Sequence, residues 1–476
     1  MFVIAALIVC LGLSPKAQAV NPPPDGGYPH YTTAEGQNAL LHLTTGIGNT
    51  AVGALSLTSD TTGNYNVAVG AGALVLNNAD SNTAVGTVAL LLNTSGTQNV
   101  AVGTDALVYN STGSFNTASG AFALFSNTTG NANTANGDQT LRNNTTGFSN
   151  TAVGDSALLS NTTGAQNTAT GVGALVLNTT GNSNTANGYQ ALVSNTTGPD
   201  NTATGDSALL SNTTGNLNTA TGFSALSSNT DGGDNTATGS NSLASNTDGG
   251  VNTATGHNAL NSNTIGNSNT AVGFDALFSS TTGNFNTALG VFAGMNVVTA
   301  SSVICIGANV VGADVDNTTW IGNVYGVTTQ NGMTAPVIVS ADGQLGTAAS
   351  SERFKKDIAT MEKVSDAILS LRPVTFHYRT DATNTPQFGL IAEEVAKVNP
   401  ALVLPDKEGK PYTVRYEAVN AMLLNEFLKE HRTVLEQGAT IAELKKQIDA
   451  LTAGLQRVSA QLEVSKPAPQ TVLNNQ

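Results

Sequence analysis

From Asn49 onward, small, apolar and amide side chains return in one fixed order. The unit is Asn-Thr-Ala-x-Gly-x-x-Ala-Leu-x-x-Asn-Thr-Thr-Gly-x-x. Copies begin at Asn49, Asn66, Asn82, Asn99, Asn116, Asn133, Asn150, Asn167, Asn184, Asn201, Asn218, Asn235, Asn252, Asn269 and Asn286, 17 residues apart with a single spacing of 16. The copies at Asn66 and Asn99 carry Val in place of Thr. A fixed short period predicts a stack of like units, each touching only its neighbours. Two Gly and two Asn per unit disfavour helix. Short Thr-, Ala- and Val-containing segments between Gly and Asn corners predict short strands instead. One repeat per coil makes a parallel β-solenoid over residues 49–290. Pairs such as Ala157-Leu158 and Ala208-Leu209 supply its inward side chains, and the recurrent Asn stack into amide ladders between coils. Variable positions such as Asp155, Gln166, Tyr189 and Phe223 face solvent. Fifteen coils at the ~4.8 Å strand spacing give a rod of about 70 Å. The Asn-x-Thr triplets have the form of glycosylation acceptors, but their regular placement marks them as corner residues.

The pattern changes on both sides of the repeat. Phe2–Leu13 is an apolar run too short to span a bilayer. Pro15-Lys16-Ala17-Gln18-Ala19 follows it with small residues at the spacing of a signal-peptidase site, so residues 1–19 read as a secretory signal. Pro22-Pro23-Pro24 and Gly26-Gly27 open an extended linker over 20–48. In 291–349 the period is lost. Strands are expected at Val303–Gly307, Thr319–Gly322 and Val337–Ser340, with a turn at Asp342-Gly343 and Trp320 in the core of a β-rich neck. At the far end Ile441, Leu444, Ile448, Leu451, Leu455, Val458 and Leu462 alternate by three and four, which predicts a coiled coil over 436–465 compatible with a trimer. Residues 466–476 read as a disordered tail.

Charge divides the chain at one place. Up to Ala349 there are 16 acidic and 2 basic residues (Lys16 and Arg142); from Ser350 onward there are 16 of each. The net charge of -14 thus belongs wholly to the first part. So few cations over that length exclude nucleic acid as a partner. Of the two cysteines, Cys10 lies in the apolar leader, which leaves Cys305 alone as a small buried apolar group. No His, Cys or carboxylate cluster suggests a metal or cofactor. His377 is expected to pack on a strand and His431 to sit on a solvated helix face. The variable positions define no cell-surface or glycan receptor for the shaft.

At the charge boundary stands Ser350-Ser351-Glu352-Arg353-Phe354-Lys355-Lys356-Asp357-Ile358. A serine five residues before a lysine, between two unlike modules, suggests self-cleavage. The bland reading makes Ser350 a helix N-cap and Lys355 a solvated helix residue. Serine needs a base to become a nucleophile, and lysine acts as one only where burial or a nearby cation drives off its proton.

Two family resemblances follow from these residues. The repeats over about 49–290 resemble the heads of trimeric autotransporter adhesins, left-handed β-rolls with short Asn/Ala/Gly repeats. The stretch from Ser350 resembles the intramolecular-chaperone autopeptidase domain found at the C-termini of phage endosialidase tailspikes, neck appendages and bacterial fibre proteins. That family opens with Ser-Asp-x-Arg-x-Lys; here Ser351 stands where Asp is typical. Leu371–Tyr378 looks like the family's strand, Gly389–Val395 like its helix start, and Tyr416–Leu428 like the helix leading into the terminal coiled coil. The resemblance covers about 350–465. It implies a domain (350–435) that trimerises, templates folding of the fibre before it and then releases itself, with Ser350 as nucleophile, Lys355 as general base and Ala349–Ser350 as the scissile bond. The enzyme implied is a serine autopeptidase acting once on its own chain, without cofactor.

The whole reads as mainly β with an α-helical C-terminus: a parallel β-solenoid shaft, an α+β chaperone domain and a trimeric coiled coil. The expected product is a secreted or surface trimeric fibre, adhesin-like, whose partner is itself. It has no membrane span once the signal is removed. The alternatives are an adhesin or phage-type tail fibre whose trimerisation domain is permanent.

Overall fold

The computed structural model describes residues 29–340 and 342–465. The expected signal (1–19), the start of the linker and the terminal tail (466–476) lie outside the described residues. The chain divides after Gln330 into two compact units.

The first unit is a parallel β-solenoid. Eighteen three-residue strands, from β1 (Thr33–Glu35) to β18 (Thr319–Ile321), pair in chain order in one sheet. At the ~4.8 Å strand spacing, eighteen coils make a rod of about 80 Å. The sheet runs past both ends of the sequence period. Thr33 pairs with Thr50 inside the segment read as linker. Ile304–Ile306 and Thr319–Ile321 continue the stack through the start of the segment read as neck.

Each coil has a narrow interior. In the coil from Asn150, Ala152, Ala157 and Leu158 are fully buried, as expected for the Ala-Leu pair. That pair does not lie on a strand. It sits on a tight turn in which Ser156 and Leu158 take φ of 58° and 52°. Left-handed backbone at a non-glycine residue costs roughly 1–2 kcal/mol. Full burial of a leucine contributes about 1.5–3 kcal/mol, which offsets much of the cost at these two residues. The glycine after each strand has no such choice. At Gly154 (φ 126°) a Cβ would stand 2.6 Å from the Gly171 carbonyl oxygen one coil on. Asp155, Gln166, Tyr189 and Phe223 face solvent as expected.

Two buried asparagines per coil form the expected ladders. Asn150 donates its backbone N–H (3.0 Å) and Nδ2 (3.1 Å) to Asn133 Oδ1 on the preceding coil. Asn161 donates Nδ2 to Asn144 Oδ1 at 2.8 Å. Both Nδ2 groups also reach the Gly164 carbonyl, at 2.9 Å. Every Asn at these two positions from Asn49 to Asn286 is fully buried. Those in Asn-x-Thr triplets, such as Asn161, are therefore closed to modification in the folded shaft.

The second ladder has imperfect ends. At its N-terminal end Asp60 replaces Asn; its Oδ1 accepts from Gly63 N–H and its Oδ2 has no partner. Burial pushes this carboxyl up to about 6. At the other end Ser280 replaces Asn, and both its Oγ and the Asn263 Oδ1 one coil back lack partners.

Cys305 and Trp320 close the stack. Cys305 is buried and unpaired, as expected, and burial pushes its thiol up. Trp320 corrects the expectation of a core residue, being 41% exposed. It pairs in register with Cys305 and so continues the inward column Ala271, Ala288, Cys305. As the last strand of this sheet it has no further coil stacked upon it, so one side of the indole is left open.

The second unit begins with a short hairpin, β19 (Ile338–Val339) and β20 (Leu345–Gly346), turning at Asp342-Gly343 with Gly343 at φ 87°. A 3-10 segment (Glu362–Ser370) precedes the antiparallel pair β21 (Val374–Phe376) and β22 (Gln387–Gly389). Helix α1 (Ala392–Val398) stops at Asn399-Pro400, as the proline requires. A second hairpin, β23 (Val403–Pro405) and β24 (Pro411–Val414), leads into helix α2 (Tyr416–Val464), which is unbroken for 49 residues. Ile368, Val395, Leu402, Val414, Val419 and Met422 form a small core.

A polar clasp ties the 3-10 segment to α2. Ser365, fully buried, donates Oγ to Glu426 Oε1 and accepts from Asn425 Nδ2 at 2.7 Å. Lys429 Nζ lies 2.6 Å from both Asp366 Oδ1 and Glu426 Oε1. Hydrogen bonds from Lys429 hold both carboxyls below the usual range and raise the amine.

The folded chain holds the Asp60 proton more tightly than the unfolded chain, whose carboxyl titrates near 4. The destabilisation is therefore full above pH ~6 and is relieved as pH falls from there towards ~4. Asp60→Asn should stabilise the shaft by about 2 kcal/mol near neutral pH, with the gain shrinking in acid, as read by thermal unfolding across pH. Ser280→Asn should donate to Asn263 Oδ1 and add about 1 kcal/mol, seen in the same assay. In the second unit, the depressed carboxyls of the clasp contribute above the usual carboxylate range, and that contribution is lost as pH falls through it. Lys429→Met should speed hydrogen exchange in Glu362–Ser370 at neutral pH, and the difference from wild type should vanish in acid.

Candidate functional site

Ser350 lies in extended chain four residues after β20. Ser351 precedes a single 3-10 turn, Glu352–Phe354, in which Phe354 N–H bonds Ser351 O at 3.0 Å and Lys355 N–H bonds Glu352 O at 2.9 Å. That turn shortens the path between residues 350 and 355 and so brings Lys355 to Ser350. Lys355 Nζ donates to Ser350 Oγ at 3.4 Å. The bland alternative does not describe this geometry. The N-cap position belongs to Ser351, whose side chain makes no capping bond, and Lys355 closes the turn instead of lying on a helix. Arg353 stacks its guanidinium over the Phe354 ring at 4.8 Å and points to neither member of the pair.

Both members of the pair are exposed, as are all residues from Asp342 to Thr360. Lysine serves as a base only where burial or a nearby cation weakens its hold on the proton. The single chain thus holds Ser350 and Lys355 in contact and leaves both open to water.

Exposure extends over apolar side chains of the same unit. Phe354, Ile358, Phe388 and Phe427 are each more than half exposed. An open apolar groove of about 650 Å³ is lined by Ile368, Val374, Phe388, Tyr416, Val419 and Leu423. Along α2 every predicted heptad position from Ile441 to Leu462 is at least half exposed.

The histidines stand apart from the site. His377 corrects the strand expectation: it follows β21 and is exposed, because the antiparallel pairing ends at Phe376. His431 lies on an exposed face of α2, its ring stacked on Phe427 at 6.3 Å. Residue spacing gave no sign of the Ser365–Glu426–Lys429 clasp, whose members are about sixty positions apart. The Glu426/Lys429 pair at i,i+3 is visible in sequence, but its serine is not. No helix among the described residues is long and apolar enough to cross a membrane.

Comparison with known proteins gives one match. The family model described as "Chaperone of endosialidase" matches residues 350–404, beginning at the serine of the Ser350/Lys355 pair. No curated protein and no solved structure matches the chain. The combination of that domain with a β-solenoid shaft fits a tail-fibre-like protein. Residues 350–404, which carry the Ser350/Lys355 contact, the β21–β22 pair and helix α1, are thus similar to the chaperone-of-endosialidase family.

Proposed function

We propose that the protein is a secreted or surface trimeric fibre whose C-terminal domain drives assembly and then cuts the chain at Ala349–Ser350. The observation that carries this reading is the contact of Lys355 Nζ with Ser350 Oγ at 3.4 Å, at the first position of the matched domain. Three copies joined along the heptad face of α2 would bury that stripe and bring apolar surface from neighbouring copies around the pair. Burial would lower the affinity of the Lys355 amine for its proton. Ser350 Oγ then attacks the Ala349 carbonyl carbon, and Lys355 takes the hydroxyl proton and delivers it to the Ser350 amide nitrogen. The C–N bond breaks and an ester joins Ala349 to Ser350 Oγ. Water hydrolyses the ester, which leaves a carboxylate on Ala349 and a free amine and hydroxyl on Ser350. Cleavage in this scheme follows assembly, so it reports a completed trimer.

Ser351 in the place of the family's Asp favours a second reading, in which the domain trimerises and stays attached. Intact mass of the purified product separates the two. A fragment beginning at Ser350 in the wild type, absent from Ser350→Ala and Lys355→Ala, is the expected result. A full-length wild-type chain in an assembled trimer would remove the peptidase step and leave a permanent trimerisation domain.

A further inference from the structure

The outward face of the solenoid sheet is unlike the rest of the shaft surface. In each strand before β18 the middle residue is buried and its two neighbours point outward. From Thr168 to Thr255 six successive strands read Thr-Ala-Thr, save Thr185-Ala186-Asn187. Eleven of the twelve outward residues are therefore threonine. Their register is constant, with Thr202, Thr219, Thr236 and Thr253 in one rank and Thr204, Thr221, Thr238 and Thr255 in the other.

The hydroxyls of this face are unused. A different threonine column, Thr145, Thr162, Thr179 and Thr196, donates each Oγ1 to a carbonyl one coil on, at 2.9–3.1 Å. None of the eleven sheet-face hydroxyls makes a hydrogen bond within the described residues, and all but half-exposed Thr204 are exposed. The face is also free of charge. No acidic or basic residue occupies an outward strand position from Thr50 to Ile321, although Asp155, Asp200, Asp206 and Asp234 lie elsewhere on the same coils.

Two ranks of hydroxyls result, ~4.8 Å apart along the rod and ~7 Å apart across it. These repeats lie close to the oxygen repeats on the prism face of hexagonal ice. A hydroxyl both donates and accepts, as each oxygen of that lattice does. The β-branched side chain holds hydroxyl and methyl in few rotamers, and the buried Asn ladders keep the ranks in register. A charge would orient water around itself and break the match, and the face carries none.

We propose that the threonine face from Thr168 to Thr255 is an ice-binding surface. This goes beyond the fibre reading and does not depend on cleavage. The test uses the full chain and reads the gap between melting and growth temperature of a single ice crystal, with circular dichroism on each variant. Wild type should open a gap and shape the crystal. Thr219→Lys with Thr236→Lys should lose it, and Asp206→Lys, off the face, should keep it. Should the lysine pair unfold the shaft, Thr221→Asn with Thr238→Asn replaces it, because Asn136 and Asn187 already occupy the same strand position. That pair should also lose the gap. A folded wild type with no gap overturns the proposal, as does a gap that survives the face variants. If the lysine pair instead reduces the oligomer seen by sedimentation, the face packs against another copy of the chain and the proposal fails.

Discussion

The buried asparagine ladder is the interaction on which the shaft depends. A coil whose interior holds two alanines and one leucine removes little apolar surface from water. The same coil buries two side-chain amides, each of which is destabilising unless its polar atoms are bonded. Within one coil the bonds cannot be completed. Asn161 Nδ2 reaches the Gly164 carbonyl of its own coil, but its other acceptor is Asn144 Oδ1 on the coil before. Asn150 depends on Asn133 in the same way. No coil is satisfied alone, so the repeats fold as a stack. The irregular positions Asp60, Asn263 and Ser280, where polar atoms lack partners, fall at the ends of one ladder.

The C-terminal unit is built on the opposite plan. Its own core is small, and much apolar surface remains open: the groove beside α2, the Phe388 and Phe427 rings, and the heptad stripe of the long helix. Its polar bonds run between distant segments, as in the clasp of Ser365, Asp366, Glu426 and Lys429. The shaft satisfies its buried groups by repetition along one chain. The terminal unit leaves surface that further copies can cover, which suits a domain matched to a chaperone family. The exposed Ser350/Lys355 pair belongs to that incomplete surface.

The threonine face and the ladder are two outcomes of one period. A repeat of constant length places identical residues above one another, inside and outside. Inside, stacked amides bond to each other. Outside, stacked hydroxyls keep their bonds free for whatever meets the face.

Sequence alone determined what is local or periodic. The 17-residue period carried the solenoid, its Ala-Leu interior and its Asn ladders, because each depends only on which residue recurs at which register. The five-residue spacing of Ser350 and Lys355 was legible because a single turn closes it. Tertiary structure decided what depends on neighbours far along the chain or on the end of a stack. Val303, Cys305 and Trp320 break the repeat, yet the strands around them still pair, since backbone hydrogen bonds need the shape of the coil and not its consensus residues. Trp320 lies half open because it occupies the last strand of the sheet, a position that composition does not mark. The clasp joins Ser365 to residues about sixty positions away, and only the packing of the 3-10 segment on α2 brings them together.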